Sequence, residues 1–375
     1  MSLVAVRVPD LDFQQLKASP LDGRERQDVR GAYAELKREW RAVFERRRRV
    51  QGRTQQLQVE LPGEGESGGN KRLRVSETGW MGVRVHPPSM PLRQLRKIPF
   101  DESAGPTVLA TSDGLVLAVR AERLPPDLLA SLRRFTSKII DTGIAQELGS
   151  VAKGRGRFSQ FTLGVTRSYT GIHLMREHTA KPLLVKQVLE DPDGKRLSGH
   201  MSGIYNQHYP RLHRRYCNAD FANEDPSHSL RYFFGAFPLF TFNYADGSPV
   251  YCEPHIDWKN PGAGMCGILP YGSFNSRELF WLALPEIGVV LEMPEGVPLL
   301  IPSALLRHYN CHVVSAPSAA AVRAGHGVPR GSMVYYAQAN YLITRELGMM
   351  VGEAEAKGLR STFPNVETYY QQQNV

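Results

Sequence analysis

From Tyr232 onward the chain is punctuated. Short β-rich runs recur roughly every 8 to 15 residues and turn signals separate them. The runs are Phe233–Phe242, Val250–Asp257, Met265–Tyr271, Leu279–Leu284, Val289–Met293, Pro298–Ile301, His312–Val314 and Met333–Leu342. Asp246-Gly247, Asn260-Pro261-Gly262, Tyr271-Gly272 and Glu295-Gly296 break them. Many short, evenly spaced strands exclude a parallel α/β sheet and predict an antiparallel sandwich or barrel. The chain before this point is different. Thr107–Thr111 and Leu115–Val119 predict a strand pair turning at Ser112-Asp113-Gly114, Pro125–Phe135 predicts a helix, and Pro182–Asn223 is again helical. In that last segment Tyr205, His208, Tyr209, Leu212 and Tyr216 form an apolar stripe that reads as core. The fold class is therefore α+β, a β core flanked by helices.

The N-terminal hundred residues carry much of the positive charge. Lys and Arg number 46 against 37 Asp and Glu, a net charge of +9. Residues 21–51 have helical periodicity and end in Arg46-Arg47-Arg48-Arg49, where cations complement the helix dipole; Gly63–Asn70 reads as a linker and Lys71-Arg72-Leu73-Arg74 follows it. The expected organisation is a basic, helical, partly flexible extension over 1–105, a main domain over 106–345 with its β core at about 232–345, and a tail over 346–375. Net positive charge favours a polyanionic partner, without specifying one. The start of the sequence has no apolar run of signal-peptide length and no stretch reaches about 18 apolar residues, so an intracellular protein with no membrane span is expected. Cys217, Cys252, Cys266 and Cys311 form no CxxC pair, which argues against zinc ribbons, thioredoxin chemistry and a disulfide scaffold.

The chemistry-bearing residues lie on the β half in a fixed order. His255-Ile256-Asp257 comes first; residues i and i+2 of an extended segment share a face, so an imidazole and a carboxylate can converge on one ion. A second histidine follows at His308, with His312 as its competitor, and strand periodicity does not separate the two. Two histidines and a carboxylate with open positions make the facial triad of non-haem Fe(II) oxygenases. Arg330-Gly331-Ser332 then opens an apolar strand, and a guanidinium and a hydroxyl on one face suit a buried carboxylate. An isolated HxD is common by chance; the ordered set on a strand-rich segment is far more specific.

The runs Phe237-Pro-Leu-Phe-Thr-Phe-Asn243, His255-Ile-Asp-Trp-Lys-Asn260 and Leu300-Ile-Pro-Ser-Ala-Leu-Leu-Arg-His-Tyr-Asn310 closely resemble the fungal TET/JBP-type Fe(II)/2-oxoglutarate dioxygenase domain. The resemblance spans about residues 150–345 and is strongest from Phe237 to Asn310. It implies a double-stranded β-helix (jelly-roll) core, Fe(II) as cofactor, and 2-oxoglutarate and O2 as co-substrates. It assigns His308 as the distal ligand beside His255 and Asp257, and Arg330, with Ser332, as the anchor for the oxo-acid tail. Arg323 is the alternative anchor, but it falls in an Ala/Gly/Ser-rich loop. Asn243 matches a place where related oxygenases set a polar group near the oxo-acid, and equally ends a strand before a turn. Relatives of this kind oxidise the methyl of 5-methylcytosine or thymine in nucleic acid, which implies DNA as partner and the nucleus as location, with no obligate protein partner. Lys153, Arg155 and Arg157 in a glycine-spaced loop, with Trp258 and Lys259 after the metal segment, are the expected nucleic-acid contacts; Tyr251 and the 311–329 insertion could hold a base. Two departures from the family pattern, Ser276-Arg277-Glu278 in place of Gly-Gly and the Cys311–Pro329 insertion, bear on substrate identity. The alternatives are the same oxidation on an N-methylated base, RNA, protein or small molecule, and a non-catalytic nucleic-acid-binding module.

Overall fold

The computed structural model describes residues 55–58, 94–110, 116–152, 155–156, 158–168, 170–246, 249–262, 264–314, 327–350, 353, 356 and 357. The expected helix over 21–51, the basic clusters at 46–49 and 71–74, the linker, Lys153, Arg157, Arg323 and most of the 346–375 tail lie outside these residues. The strands, in chain order, are β1 (Gln55–Gln58), β2 (Arg96–Ile98), β3 (Thr107–Ala110), β4 (Val116–Arg120), β5 (Ser150–Val151), β6 (Ser159–Ser168) and β7 (Gly171–Leu174). They continue with β8 (Leu239–Tyr244), β9 (Cys266–Tyr271), β10 (Trp281–Leu284), β11 (Val289–Leu291), β12 (Leu299–Ile301), β13 (Tyr309–Cys311) and β14 (Gly331–Tyr336).

Two sheets result. The larger runs β1-β3-β4-β12-β9-β14-β8-β6-β5, with β7 on β6, and the smaller runs β13-β10-β11-β2. Within 239–336 the chain alternates between them: β8 and β9 in the large sheet, β10 and β11 in the small, β12 back in the large, β13 in the small and β14 in the large. Antiparallel strands shuttling between two facing sheets make the jelly roll.

Alternation along the strands gives the large sheet two unlike faces. Phe242 stacks on Phe161 and Tyr271 at 5.4 and 4.9 Å and meets the edge of Phe135, from a flanking helix, at 6.4 Å. Thr241 and Asn243, one residue to either side, turn to the opposite face, which lines a cleft together with Gln160, Thr162, Val334 and Tyr336. The apolar face is covered by helices Pro126–Asp141 and Pro192–His208. The first buries Ser131, Leu132, Phe135, Thr136 and Ile139, a one-sided stripe. Ion pairs Arg134–Asp193 (2.7 Å) and Lys138–Asp191 (2.8 Å) tie the two together. The helical expectation over Pro182–Asn223 resolves into Pro182–Glu190, Pro192–His208 and Pro210–Asn218, each starting on a proline, whose missing N–H costs nothing at a first helical position. The Tyr205–Tyr216 stripe is buried, with Tyr205 stacked on Phe237 at 5.2 Å.

Four expectations are corrected. The segment 1–105, expected as a helical extension, supplies β1 to the large sheet and β2 to the small one. Buried Arg120 secures β2: its guanidinium donates to Ile98 O, Pro99 O, Glu292 O and Thr107 Oγ1, a long-range contact that no local pattern reveals. The run Val250–Asp257 forms no regular strand; only an isolated bridge pairs His255 with His308, because Pro254 offers no N–H to a ladder. Met333–Leu342 is a strand only to Tyr336, and Ala339–Leu347 is a helix; a short apolar run fits either period. Finally, the strand expected at His312–Val314 lies at Tyr309–Cys311, paired with Trp281–Ala283.

Candidate metal centre and its two cavities

His255 and His308 are brought together by their own backbones. His255 N donates to His308 O at 3.2 Å and His308 N to His255 O at 3.0 Å, and the ring centroids are 4.2 Å apart. Asp257 joins them because its N–H donates to Ser303 O, fixing the i+2 residue on the same side. Nε2 of His255 lies 3.9 Å from Asp257 Oδ1, and Nε2 of His308 lies 3.9 Å from Asp257 Oδ2. One ligand atom from each of the three lies within 4.8 Å of the others, and all three residues are buried. Each imidazole uses its other nitrogen on a backbone carbonyl: His255 Nδ1 on Glu253 O at 2.7 Å, His308 Nδ1 on Leu306 O at 3.0 Å. That contact fixes the tautomer with Nδ1 protonated and leaves both Nε2 lone pairs aimed at the common centre, as a metal requires. His312 is elsewhere; its Nδ1 accepts from Phe280 N at 3.3 Å.

Charge in the centre favours a cation. Burial holds His255 well below the ordinary imidazole value, reinforced by the neighbouring His308, and burial also lowers His308. Burial alone would raise the Asp257 carboxyl, but Arg155, His308 and His255 together outweigh it and keep it ionised. The centre at neutral pH is thus two neutral imidazoles and one carboxylate, already in ligand form. The sign for stability follows from the lowered histidine values. In the unfolded chain these imidazoles protonate near 6.5, in the fold at lower pH, so their contribution is complete above about pH 6.5 and is lost as pH falls below it. Unfolding of the metal-free protein at about pH 7 and pH 5 should show this loss, and a His255→Gln/His308→Gln variant should show a smaller one; equal slopes would contradict the assignment.

Arg155, expected as a nucleic-acid contact, lines the open cleft and reaches Asp257: its Nη2 lies 2.9 Å from Asp257 Oδ1, with the side chain 44% exposed. Trp258 and Lys259 stand at the cleft, with Lys259 Nζ 5.2 Å from the Trp258 ring centroid. Tyr251 is partly exposed and packs on His312 at 5.4 Å.

Two cavities with shared lining residues border this centre. A narrow one of about 50 Å³ between the sheets is lined by His255, Asp257, His308, Asn243, Arg330 and Ser332. Arg330 is 4% exposed; its Nη1 donates to Val250 O and, at 3.2 Å, to Asn310 Oδ1, while its buried Nε has no partner. No acidic group pairs with it among the described residues. Asn243 Nδ2 donates to Ser332 Oγ at 3.0 Å, and Asn243 Oδ1 is buried without a partner. Arg120 differs in degree: its Nη1 and Nη2 donate to four protein acceptors, whereas Arg330 donates to two, both through Nη1. The glycine between Arg330 and Ser332 is also required: a Cβ at Gly331 would overlap the Tyr271 ring and lie 2.6 Å from Asn243 O, the carbonyl that Tyr271 Oη hydrogen-bonds at 2.8 Å. Gly331→Ala is expected to destabilise the protein by about 1–3 kcal/mol through overpacking, measurable by denaturant unfolding.

The second cavity, of about 710 Å³, opens to solvent and shares Arg155, Gln160, Asn243 and Asp257 with the first. Asn260 also lines it, its Nδ2 donating to Ser303 Oγ at 3.0 Å. Sequence reasoning did not single out Gln160, Asn260, Phe280 or Asn310 as site residues. Asn310 sits two after His308, where strand alternation would find it, and Gln160 belongs to the alternating run Ser159-Gln-Phe-Thr-Leu163.

No protein-family model matches the sequence, and no curated protein matches it. Among solved structures the fold is similar to NgTET1 in complex with 5mC DNA, at a TM-score of 0.44 and 14% identity, covering 65% of this chain and 82% of that one. It is also similar to OsALKBH1, at 0.32 and 12%, covering 59% and 96%. A third is a 2OG-Fe(II) oxygenase-family oxidoreductase from Burkholderia pseudomallei, at 0.27 and 14%, covering 56% and 88%.

Proposed function

We propose that this protein is an Fe(II)/2-oxoglutarate-dependent dioxygenase that oxidises a methylated base in DNA, with 5-methylcytosine the favoured substrate. The observation that carries the reading is the convergence of His255, Asp257 and His308, in ligand form, beside a buried guanidinium without an acidic partner. The donor set fits a ferrous ion: two imidazole nitrogens and one carboxylate leave positions open for an oxo-acid and O2. Iron and 2-oxoglutarate, when bound, would supply the oxidising power for oxidation at a methyl C–H bond.

The chain's own residues do the positioning. His255, Asp257 and His308 hold the ion, and the backbone carbonyls of Glu253 and Leu306 keep both rings in the ligating tautomer. Arg330 and Ser332 receive the distal carboxylate, and Asn243, whose Nδ2 donates to Ser332 Oγ, lines the same narrow space. The wider polar cleft admits the substrate to the opposite side, with Trp258 and Lys259 beside it. A methyl inside a duplex cannot reach so buried a centre, so the base must leave the stack and enter the cleft. DNA as substrate, and a nuclear location with it, is supported by the family resemblance of the Phe237–Asn310 runs and by the net charge of +9. No described helix is long and apolar enough to cross a membrane.

The test is incubation with Fe(II), 2-oxoglutarate and 5-methylcytosine DNA, with products read by mass spectrometry. Hydroxymethyl, formyl or carboxyl cytosine with matching succinate is expected, falling steeply as salt rises. Succinate formed with an N-methylated base, RNA, a protein or a small molecule, and no oxidised 5-methylcytosine, would overturn the substrate assignment.

A further inference from the structure

The sequence leaves His312 as an unused histidine close to the metal segment, and the structure gives it a different neighbour. We propose that His312 and Phe280 are positioning residues for Arg330, holding its guanidinium ready for the distal carboxylate of the oxo-acid. The inference rests on the oxygenase reading of the site.

Phe280 is the link. It is the one described non-glycine residue with positive φ, at 58°, a conformation that a side chain with a Cβ rarely adopts. Such a backbone persists only where its surroundings fix it. Here they do so on each side. Phe280 N donates to His312 Nδ1 at 3.3 Å, and Phe280 O accepts from Asn310 Nδ2 at 3.4 Å. The ring meets His312 edge-on at 5.1 Å and Phe274 edge-on at 5.6 Å. Held this way, its face lies 5.1 Å from the Arg330 guanidinium carbon. Asn310 closes the circuit, since Oδ1 of the same amide accepts from Arg330 Nη1 and from Cys252 N.

The arrangement has a purpose that simple packing lacks. A buried guanidinium with no carboxylate partner needs both a compensating contact and a fixed plane. The Phe280 face supplies the first without an anion that would compete with the co-substrate. Val250 O and Asn310 Oδ1 hold Nη1 and leave Nε unpartnered. His312 acts one step further out, by keeping Phe280 in a backbone conformation it would otherwise leave.

The experiment is an anaerobic titration of the full-length, Fe(II)-loaded protein with two oxo-acids, following the absorption of the iron–oxo-acid chelate, with iron affinity measured separately. 2-Oxoglutarate carries the distal carboxylate and 2-oxobutyrate lacks it. The variants are Phe280→Leu, which removes the aromatic face; His312→Phe, which keeps a ring but has no acceptor; His312→Asn, whose amide oxygen can replace Nδ1; and Arg330→Ala. Phe280→Leu and His312→Phe are expected to weaken 2-oxoglutarate about 5- to 20-fold, the scale of a desolvated cation–π contact, leaving 2-oxobutyrate and iron binding unchanged. His312→Asn should stay within about twofold of wild type, because an acceptor is retained. Equal losses for both oxo-acids would overturn the proposal by showing general damage. So would unaltered 2-oxoglutarate binding in both variants when Arg330→Ala does weaken it. Should Arg330→Ala leave 2-oxoglutarate binding intact, the anchor assignment itself falls and the inference with it.

Discussion

Asp257→Ala is expected to abolish iron uptake and turnover together. Asp257 is the sole anionic member of the centre and lies 3.9 Å from the Nε2 atoms of both His255 and His308. Removing it leaves two neutral imidazoles facing a cation with Arg155 still nearby, so the local charge changes from attractive to repulsive. Loss of an outer-shell partner of a metal ligand commonly costs about 10- to 100-fold, and loss of the ligand itself should exceed that range. His255→Ala and His308→Ala should likewise lose turnover, whereas His312→Ala should keep the iron and turn over at saturating 2-oxoglutarate, with only its affinity for that co-substrate weakened. The check is metal stoichiometry under anaerobic conditions alongside succinate release. Near-wild-type iron affinity in Asp257→Ala would contradict the assignment, and loss of iron on His312→Ala would reverse the choice of distal ligand.

Arg330→Ala is expected to show the second large effect, confined to the co-substrate. Truncating one member of a buried, hydrogen-bonded charge pair costs about 2–5 kcal/mol, or roughly 30- to several-thousand-fold in affinity. The apparent KM for 2-oxoglutarate should rise by such a factor with iron binding unchanged. Lysine should restore little, because its point charge cannot present two parallel donors. Without co-substrate the alanine variant should unfold no more easily than wild type, since the guanidinium it lacks is a buried charge with no acidic partner. Steady-state kinetics over a range of 2-oxoglutarate, with denaturant unfolding of the same variant, checks both statements. An unaltered KM would hand the role to Arg323.

What was legible in the sequence was local. Leu239-Phe-Thr-Phe-Asn243 alternates, and the alternation alone divides Phe240 and Phe242 from Thr241 and Asn243. His255 and Asp257 share a side because they are two apart, even though no regular strand forms there. The Arg330-Gly-Ser332 run puts a guanidinium and a hydroxyl on one face, and the structure adds why its middle residue is glycine. What was not legible depends on distant partners. Strand β2 is three residues long and highly charged for its length, and is recognisable only through β11 and the buried Arg120 contacts. The Arg155 contact depends on Asp257, 102 positions later by subtraction of their numbers. The role of Asn310 depends on simultaneous contacts to Cys252, Phe280 and Arg330, which no spacing rule encodes. The double use of residues before 105 also means that deleting 1–100 would remove strands from both sheets, so a loss of activity after that truncation would not isolate nucleic-acid binding.

The most direct measurement of the central claim is a crystal structure of the protein grown anaerobically with a divalent metal and a non-reactive analogue of 2-oxoglutarate. The account requires one ion bound by His255 Nε2, an oxygen of Asp257 and His308 Nε2, with the distal carboxylate of the analogue paired to Arg330. An ion held by other side chains, or an analogue whose carboxylate lies away from Arg330, would contradict it.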